Sequence, residues 1–392
     1  MSKSIYIATT EPNSGKSLLS LGILRMMLTK SSRVGYFRPI INDKDGSGID
    51  HHTKTAIDFF ELDLKYQDCY AYEQKEVLQL LAQDKIDVVL NTVIEKYKKL
   101  EAQFDYVLVE GSDFSGERSF TELDINLNIA KNLGIPAMIV ASGIGKNAQD
   151  FTDSLFITYQ SFIEKEVDVI GIVANKVTRE DLEIVAEKLH HRIPSSVQIS
   201  IIPKIDFLNN PTVKEVTETL NGKVLFGDVF LDNTIGNFTT GAMQLRNYLV
   251  HLEEDTLVIT PGDRADIILG ALQANVSSNY PKVAGIILTG GLMPEESILK
   301  LIEGVQSTVP VVSVEGNTFS VANKVGAVKS KIYATNEKKI LMALDIFDTY
   351  VNSELLAESL TSYTSDKITP RMFQYNMLQR AKLHRKHIVL PE

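Results

Sequence analysis

The run Ala8-Thr-Thr-Glu-Pro-Asn-Ser-Gly15-Lys16-Ser17 constrains this chain more than any other stretch. It follows a short apolar β-type run, Ile5 to Ala8, and opens an apolar helical pattern from Leu18 to Leu28. Strand, loop and helix in that order are the context a phosphate-cradling loop requires. Backbone N–H groups of the loop and helix start point at phosphate oxygens, with Lys16 placed to reach the outer phosphates and Ser17 to ligate Mg²⁺. Thr10, Glu11 and Asn13 complete the loop. The general pattern G-x-x-x-x-G-K, then Ser or Thr, wants glycine where Thr10 stands, and threonine enters the left-handed region only with strain.

Strands and helices alternate after it. Val34–Phe37, Tyr106–Val109, Ala137–Val140 and Val169–Val173 read as strands; Glu76–Leu100 reads as one or two amphipathic helices, and Leu127–Leu133, Phe151–Lys165 and Arg179–His190 read as helices. The strands are continuously apolar, the mark of strands buried on both faces, and the alternation predicts a doubly wound parallel α/β layer. Glu110 ends one strand, where a carboxylate can hold Mg²⁺, and Asn175-Lys176 follows another, where an amide can read a nucleobase edge. Three such features on three strands predict a nucleotide-shaped crevice, with Mg-ATP as the candidate cofactor.

Turn signals at Asn209-Asn210-Pro211 and Asn221-Gly222 place a boundary near residue 205. A smaller α/β unit follows, with strands at Leu257–Thr260, Ala284–Leu288 and Val311–Val314 and helices at Ala265–Leu272 and Ser297–Val305. One long helical segment is expected from Glu337 to Leu360. The division is thus 1–205, 206–335 and a linker region 336–392.

With 392 residues, 44% hydrophobic and 23% charged, the chain has the make-up of two or three folded domains. No apolar run approaches the ~20 residues of a membrane helix, and the start lacks a signal-peptide layout. Cys69 is the only cysteine, which excludes an internal disulfide framework and a Cys-rich metal site; a reduced cytoplasm is the expected home. A net charge of −10 argues against nucleic acid as partner. Lys367, Arg371, Arg380, Lys382, Arg385 and Lys386 form a late basic cluster, read as a helix that belongs against something acidic outside this chain. Neither His51-His52 nor His190-His191 has the i, i+4 spacing of a helical metal site.

The loop is similar to that of dethiobiotin synthetase: Thr10-Glu11 and Gly15-Lys16-Ser17 match its Thr-Asp and Gly-Lys-Thr, while Thr9 replaces its leading Gly. Arg38-Pro39-Ile40 stands for that family's Lys-Pro-Val, and Val109-Glu110-Gly111-Ser112-Asp113-Phe114 for its Val-Glu-Gly-Ala-Gly-Gly. Arginine for the substrate lysine is not a conservative change, so the scaffold looks inherited and the ligase chemistry does not. Glu11 stands where dimerising partition-type ATPases carry a signature lysine, which disfavours that class. Val258 to Ile267, with Asp263, Arg264 and Asp266, followed by Leu288-Thr289-Gly290-Gly291, is similar to the DRTGG domain. Leu360 to Ser365, Ile368 to Phe373 and Lys386 to Glu392 resemble the junction into the catalytic domain of long-form bacterial phosphate acetyltransferase.

That order of domains resembles the N-terminal region of this family over the whole chain. The resemblance implies an enzyme exchanging acetyl-CoA and phosphate for acetyl phosphate and CoA, with its catalytic domain beginning around residue 385 and missing here. It implies a likeness to a regulatory and homo-oligomer-forming half, responsive to small-molecule effectors such as pyruvate, phosphoenolpyruvate and NADH, whose partner is its own catalytic domain. Two other readings stay open: a structural oligomerisation module with a vestigial loop, and a stand-alone ATP-dependent ligase. For Asp263, Arg264 and Asp266 the readings are a plain helix cap and an effector or anion pocket facing Thr289, Gly290 and Gly291. For Arg38 the readings are a phosphate or carboxylate clamp, which its place at the crevice edge favours, and a plain ion-pair partner on a loop. Phe347, Tyr350, Tyr363, Phe373 and Tyr375 are expected to pack against the absent domain.

Overall fold

Ile5, Ile7, Val107, Val109, Ile139 and Val173 have no exposed surface, so the continuously apolar runs lie between two layers. The computed structural model describes residues 3–42, 49–112, 119–304, 309–328, 330, 332–334, 336–364 and 369–384. It divides into two units, Met1–Lys204 with Ile332–Glu392, and Ile205–Lys331.

In the first unit the strands are β1 (Lys3–Thr9), β2 (Val34–Phe37), β3 (Ile40–Ile41), β4 (Tyr72–Glu73), β5 (Tyr106–Glu110), β6 (Ala137–Ser142), β7 (Val169–Val177) and β8 (Gln198–Pro203). Six form one parallel sheet in the order β2-β5-β1-β6-β7-β8, and β3 pairs with β4 in a separate parallel ribbon. The sequence pattern gave no sign of β8, a partly buried strand at the sheet's edge. Winding reverses at β1, which lies between β5 and β6, and a reversal of that kind opens a crevice beyond the strands' carboxyl ends. Helices α1 (Lys16–Lys30) and α2 (His51–Phe60) start at that end.

The segment expected to be one helix from Glu337 to Leu360 is two, Glu337–Tyr350 and Ser353–Ser362. Val351 takes an extended conformation, and the Asn352 side chain accepts from the Leu355 N–H to cap the second helix. This segment is part of the first unit and not a linker. The Phe347 ring lies where a Cβ on Gly22 of α1 would meet it at 2.1 Å, so only glycine admits it. Phe347 and Tyr363 therefore use partners in this chain, the latter donating to Asp168 at 2.9 Å, and Tyr375 rests partly on the core. Tyr350 and Phe373 remain exposed at 38% and 55%. The late basic helix, Pro370–His384, finds acid within the chain, since Arg371 pairs with Asp87. Lys367, Arg385 and the run 386–392 lie outside the described residues, as do Asp113 and Phe114.

The second unit has strands β9 (Lys223–Phe226), β10 (Asn237–Thr240), β11 (Thr256–Pro261), β12 (Val283–Thr289) and β13 (Val311–Ser313). Their order is β10-β11-β12-β13-β9, parallel except for β9. Successive β11 residues feed opposite cores: Val258 joins Ile267, Ile286 and Leu288, while Leu257 and Ile259 join Val213, Ile287 and Val321.

Candidate functional site

The loop after β1 holds its shape by two left-handed residues, Asn13 at φ 59° and Gly15 at φ 98°. Thr10 is not among the positive-φ residues, so the threonine in place of glycine is unstrained; its N–H instead extends the sheet by donating to the Val140 carbonyl at 3.1 Å. Asparagine tolerates the left-handed region better than most side chains, which explains Asn13 at the turn.

Asn175 and Lys176 lie within β7, and they hold the loop. The Asn175 amide donates to the Ser14 carbonyl at 2.7 Å, and Lys176 Nζ donates to the Asn13 carbonyl at 2.9 Å. A Cβ on Gly15 would lie 1.8 Å from Asn175 Nδ2. The base-reading role expected for Asn175 does not agree with this geometry, because its amide is buried and committed to the loop backbone. Glu11 braces the other side, accepting from Lys146 Nζ at 2.7 Å and from the Ser142 N–H at 3.0 Å.

Beneath the loop is a buried charge cluster. Lys16, the first residue of α1, is 3% exposed; its Nζ donates to the Gly111 carbonyl at 2.5 Å and lies 3.8 Å from Glu110 Oε1. Glu110, at the end of β5, is 1% exposed. Its Oε1 accepts from Arg38 Nη1 at 3.1 Å and its Oε2 from Ser20 Oγ at 2.5 Å. His52 Nδ1 is 3.1 Å from Oε1 and 3.2 Å from Ser17 Oγ. Asp50 Oδ1 lies 3.7 Å from Arg38 and caps α2 by accepting from the Thr53 N–H at 2.9 Å.

Burial by itself pushes the Glu110 carboxyl up, but His52, Lys16 and Arg38 outweigh it and hold the group well below the usual carboxylate range. Asp50 follows the same pattern: burial raises it, and Arg38, His52 and the Thr53 hydrogen bonds bring it below its ordinary value. Arg38 has no exposed surface and serves these two acids, so it is not a clamp open to substrate. Asp50, Ser20 and His52 had no motif to mark them; Ser20 and His52 reach Glu110 from two helices across a gap of up to 90 residues in sequence, and Asp50 reaches Arg38 beside it.

The Mg²⁺ pair expected at Ser17 and Glu110 fails a donor test. Magnesium needs near-octahedral oxygens at about 2.0–2.1 Å, yet a ring nitrogen stands within hydrogen-bond distance of both proposed ligands. Among the described residues no group of three or more His, Cys, Asp or Glu could hold a metal ion.

In the second unit the expected anion pocket does not form around Arg264. Its Nε and Nη2 donate to the two Asp266 oxygens at 2.9 and 3.0 Å, Nη1 donates to the Gly241 carbonyl at 3.1 Å, and Nη2 also donates to the Met243 carbonyl at 2.8 Å. Arg264, not Asp263, occupies the cap position of the Ala265–Val276 helix, and Asp266 meets the helix dipole in the first turn. Thr289 Oγ1 is 2.8 Å from Thr318 Oγ1, while the Gly290 and Gly291 N–H groups donate to the Gly316 and Val314 carbonyls at 2.8 and 3.0 Å. The two glycines at φ 80° and 64° therefore make a turn onto β13's exit loop.

The AAA domain family matches residues 3–212, more than half the chain, and the DRTGG domain family matches residues 215–328. A phosphate acetyltransferase of Nitratidesulfovibrio vulgaris is 37% identical over 397 residues, covering 100% of this chain and 56% of that protein. One from Synechocystis sp. is 36% identical over 394 residues with the same coverage of both, so the chain spans about half the length of the curated relatives it matches. The MinD cell division protein of Aquifex aeolicus covers 53% of this chain and 84% of its own at 13% identity and a TM-score of 0.32. With a parallel P-loop sheet followed by a DRTGG unit, the chain belongs to the AAA-domain family and corresponds to the N-terminal region of phosphate acetyltransferases.

Proposed function

We propose that this chain is the regulatory and assembly half of a phosphate acetyltransferase, without acetyl transfer of its own, and that its P-loop takes a nucleotide or another phosphate-bearing effector. The observation that carries the reading is the start of α1. This 15-residue helix has glycine at its N-cap, no capping side chain and no acid in its first turn, with Lys16 beside it. The first N–H groups of a helix have no partner within it, and its dipole favours an anion there. In the same unit α2 is capped by Asp50 and the Ala148–Glu164 helix by Asn147, while the Ile86–Gln103 and Leu182–Arg192 helices start without a side-chain cap but carry an acid in the first turn.

A structural module with a silent loop is the second reading, favoured by Lys16 Nζ resting on the Gly111 carbonyl. The stand-alone ligase reading is disfavoured by the burial of Arg38.

A thermal-melt titration with ATP, run beside Lys16→Ala, separates the first two. Ligand at about 100 times its Kd adds about 2.7 kcal/mol to the native state, and each kcal/mol moves Tm by roughly 2–4 °C. Because Lys16 is buried against Glu110, the variant melts lower without ligand, so the readout is the increment that ATP adds. An increment present in the wild type and lost in the variant supports effector binding. No increment at millimolar ATP favours the structural module, and acetyl phosphate formation by this chain alone refutes both.

A further inference from the structure

We infer that His52 stands in the metal's place in this P-loop, so that the phosphate-bearing ligand binds without Mg²⁺. The inference rests on the nucleotide reading above.

His52 Nδ1 lies within 3.2 Å of both Ser17 Oγ and Glu110 Oε1, the two oxygens that would bind the ion. Carrying its proton, Nδ1 donates a hydrogen bond where the metal would accept a lone pair. The other approaches to the carboxylate are taken, by Arg38 on Oε1 at 3.1 Å and by Ser20 on Oε2 at 2.5 Å. Charge leads to the same conclusion. Glu110 and Asp50 face Lys16 and Arg38, so two buried anions meet two buried cations before any metal arrives. A divalent ion would enter a place already balanced, and would do so against a guanidinium and an ammonium.

The imidazole is also held where it is. His52 is the second residue of α2, whose cap Asp50 is tied to Thr53 and faces Arg38. The preceding His51 ring sits edge-on to Tyr333 with centroids 4.7 Å apart. The His52 side chain is 26% exposed over a carboxylate that is 1% exposed, so it covers Glu110 from solvent.

The test measures ATP affinity by calorimetry, in EDTA and in MgCl₂, for the full chain and for His52→Ala. The wild type should show Kd values that agree within about threefold in the two buffers, whereas His52→Ala should bind at least about tenfold tighter with Mg²⁺. A wild type that needs Mg²⁺ overturns the inference and leaves the nucleotide reading standing. A wild type that binds no ATP in either buffer removes the nucleotide reading and the inference with it, even beside a His52→Ala variant that binds Mg-ATP. If neither protein binds ATP in either buffer, both fall, because opening the place should admit the ion. The wild-type comparison needs no variant, and His52→Ser serves if His52→Ala does not fold.

Discussion

Replacing Glu110 by glutamine tests whether the buried cluster is as tightly coupled as its distances imply. The amide keeps the shape but removes the charge that faces Lys16 at 3.8 Å and Arg38 at 3.1 Å, two side chains 2% and 0% exposed. Breaking a buried pair on one side costs about 3–5 kcal/mol, because the partner charge is left uncompensated. Asp50, 3.7 Å from Arg38, still answers one of the two cations, which places Glu110→Gln near the lower end, about 3 kcal/mol. The sign with pH is fixed by direction: Glu110 titrates lower in the folded chain than in the unfolded one. Its stabilisation is therefore complete above the unfolded value, about 4.3, and is lost as pH falls toward the folded one. The wild-type and Glu110→Gln curves of stability against pH should run about 3 kcal/mol apart at neutral pH and converge in acid. Urea unfolding gives the curves; with 14 tyrosines and no tryptophan, circular dichroism and tyrosine emission are the signals. Hydrogen exchange of peptides over β1 and β5 assigns the transition to this unit, since chains of two units need not unfold in one step. Curves that run parallel into acid, or a variant as stable as the wild type, would refute the coupling.

Two further substitutions address the frame around the cluster. Gly15→Ala puts a side chain at φ 98° and drives Asn175 off the Ser14 carbonyl, for backbone strain of about 1–2 kcal/mol and a buried hydrogen bond of about 1–3 kcal/mol. The P-loop unit should lose roughly 2–5 kcal/mol in urea, and a loss below that range means Asn175 does not lock the loop. Phe347→Ala empties the place over Gly22 and should cost about 3–5 kcal/mol, with faster hydrogen exchange across 337–362. Unchanged exchange there would mean that the helix holds to α1 by other contacts.

The sheet was readable in the sequence because strands buried on both faces are apolar at every position, a pattern that needs no partner to be seen. β8 was not, since an edge strand with half-buried Gln198 and Ile199 lacks that continuity. The loop was readable for the same local reason: its residues are consecutive. What surrounds it was not. Ser20, Arg38 and His52 meet Glu110, and Asp50 meets Arg38, only after the chain has folded, and no spacing in one dimension marks that meeting. Asn175 shows a subtler limit. Its position was legible, and its direction was set by the Ser14 carbonyl, a backbone group with no sequence signature. Arg264 resembles it, with a cation in a conspicuous motif that spends its donors on Asp266 and on two carbonyls.

The closure of the cluster on itself bears on what kind of ligand it can serve. A phosphate reaching Lys16 must first replace the Gly111 carbonyl, and hydrogen bonds from a charged group are worth about 1.5–3 kcal/mol. The exchange subtracts that amount from binding, which is about ten- to a hundredfold in Kd. A resident cofactor site built this way would waste most of its affinity. An effector site gains from it, because a weakened Kd moves half-occupancy up into the range where a metabolite's concentration varies, and the displaced ion pairs give bound and free states different internal contacts. Differential contacts between two states are what coupling to a distant site requires. The buried Lys16, taken alone the best argument for a silent loop, is in this light the element through which binding would be felt by β5 and α2.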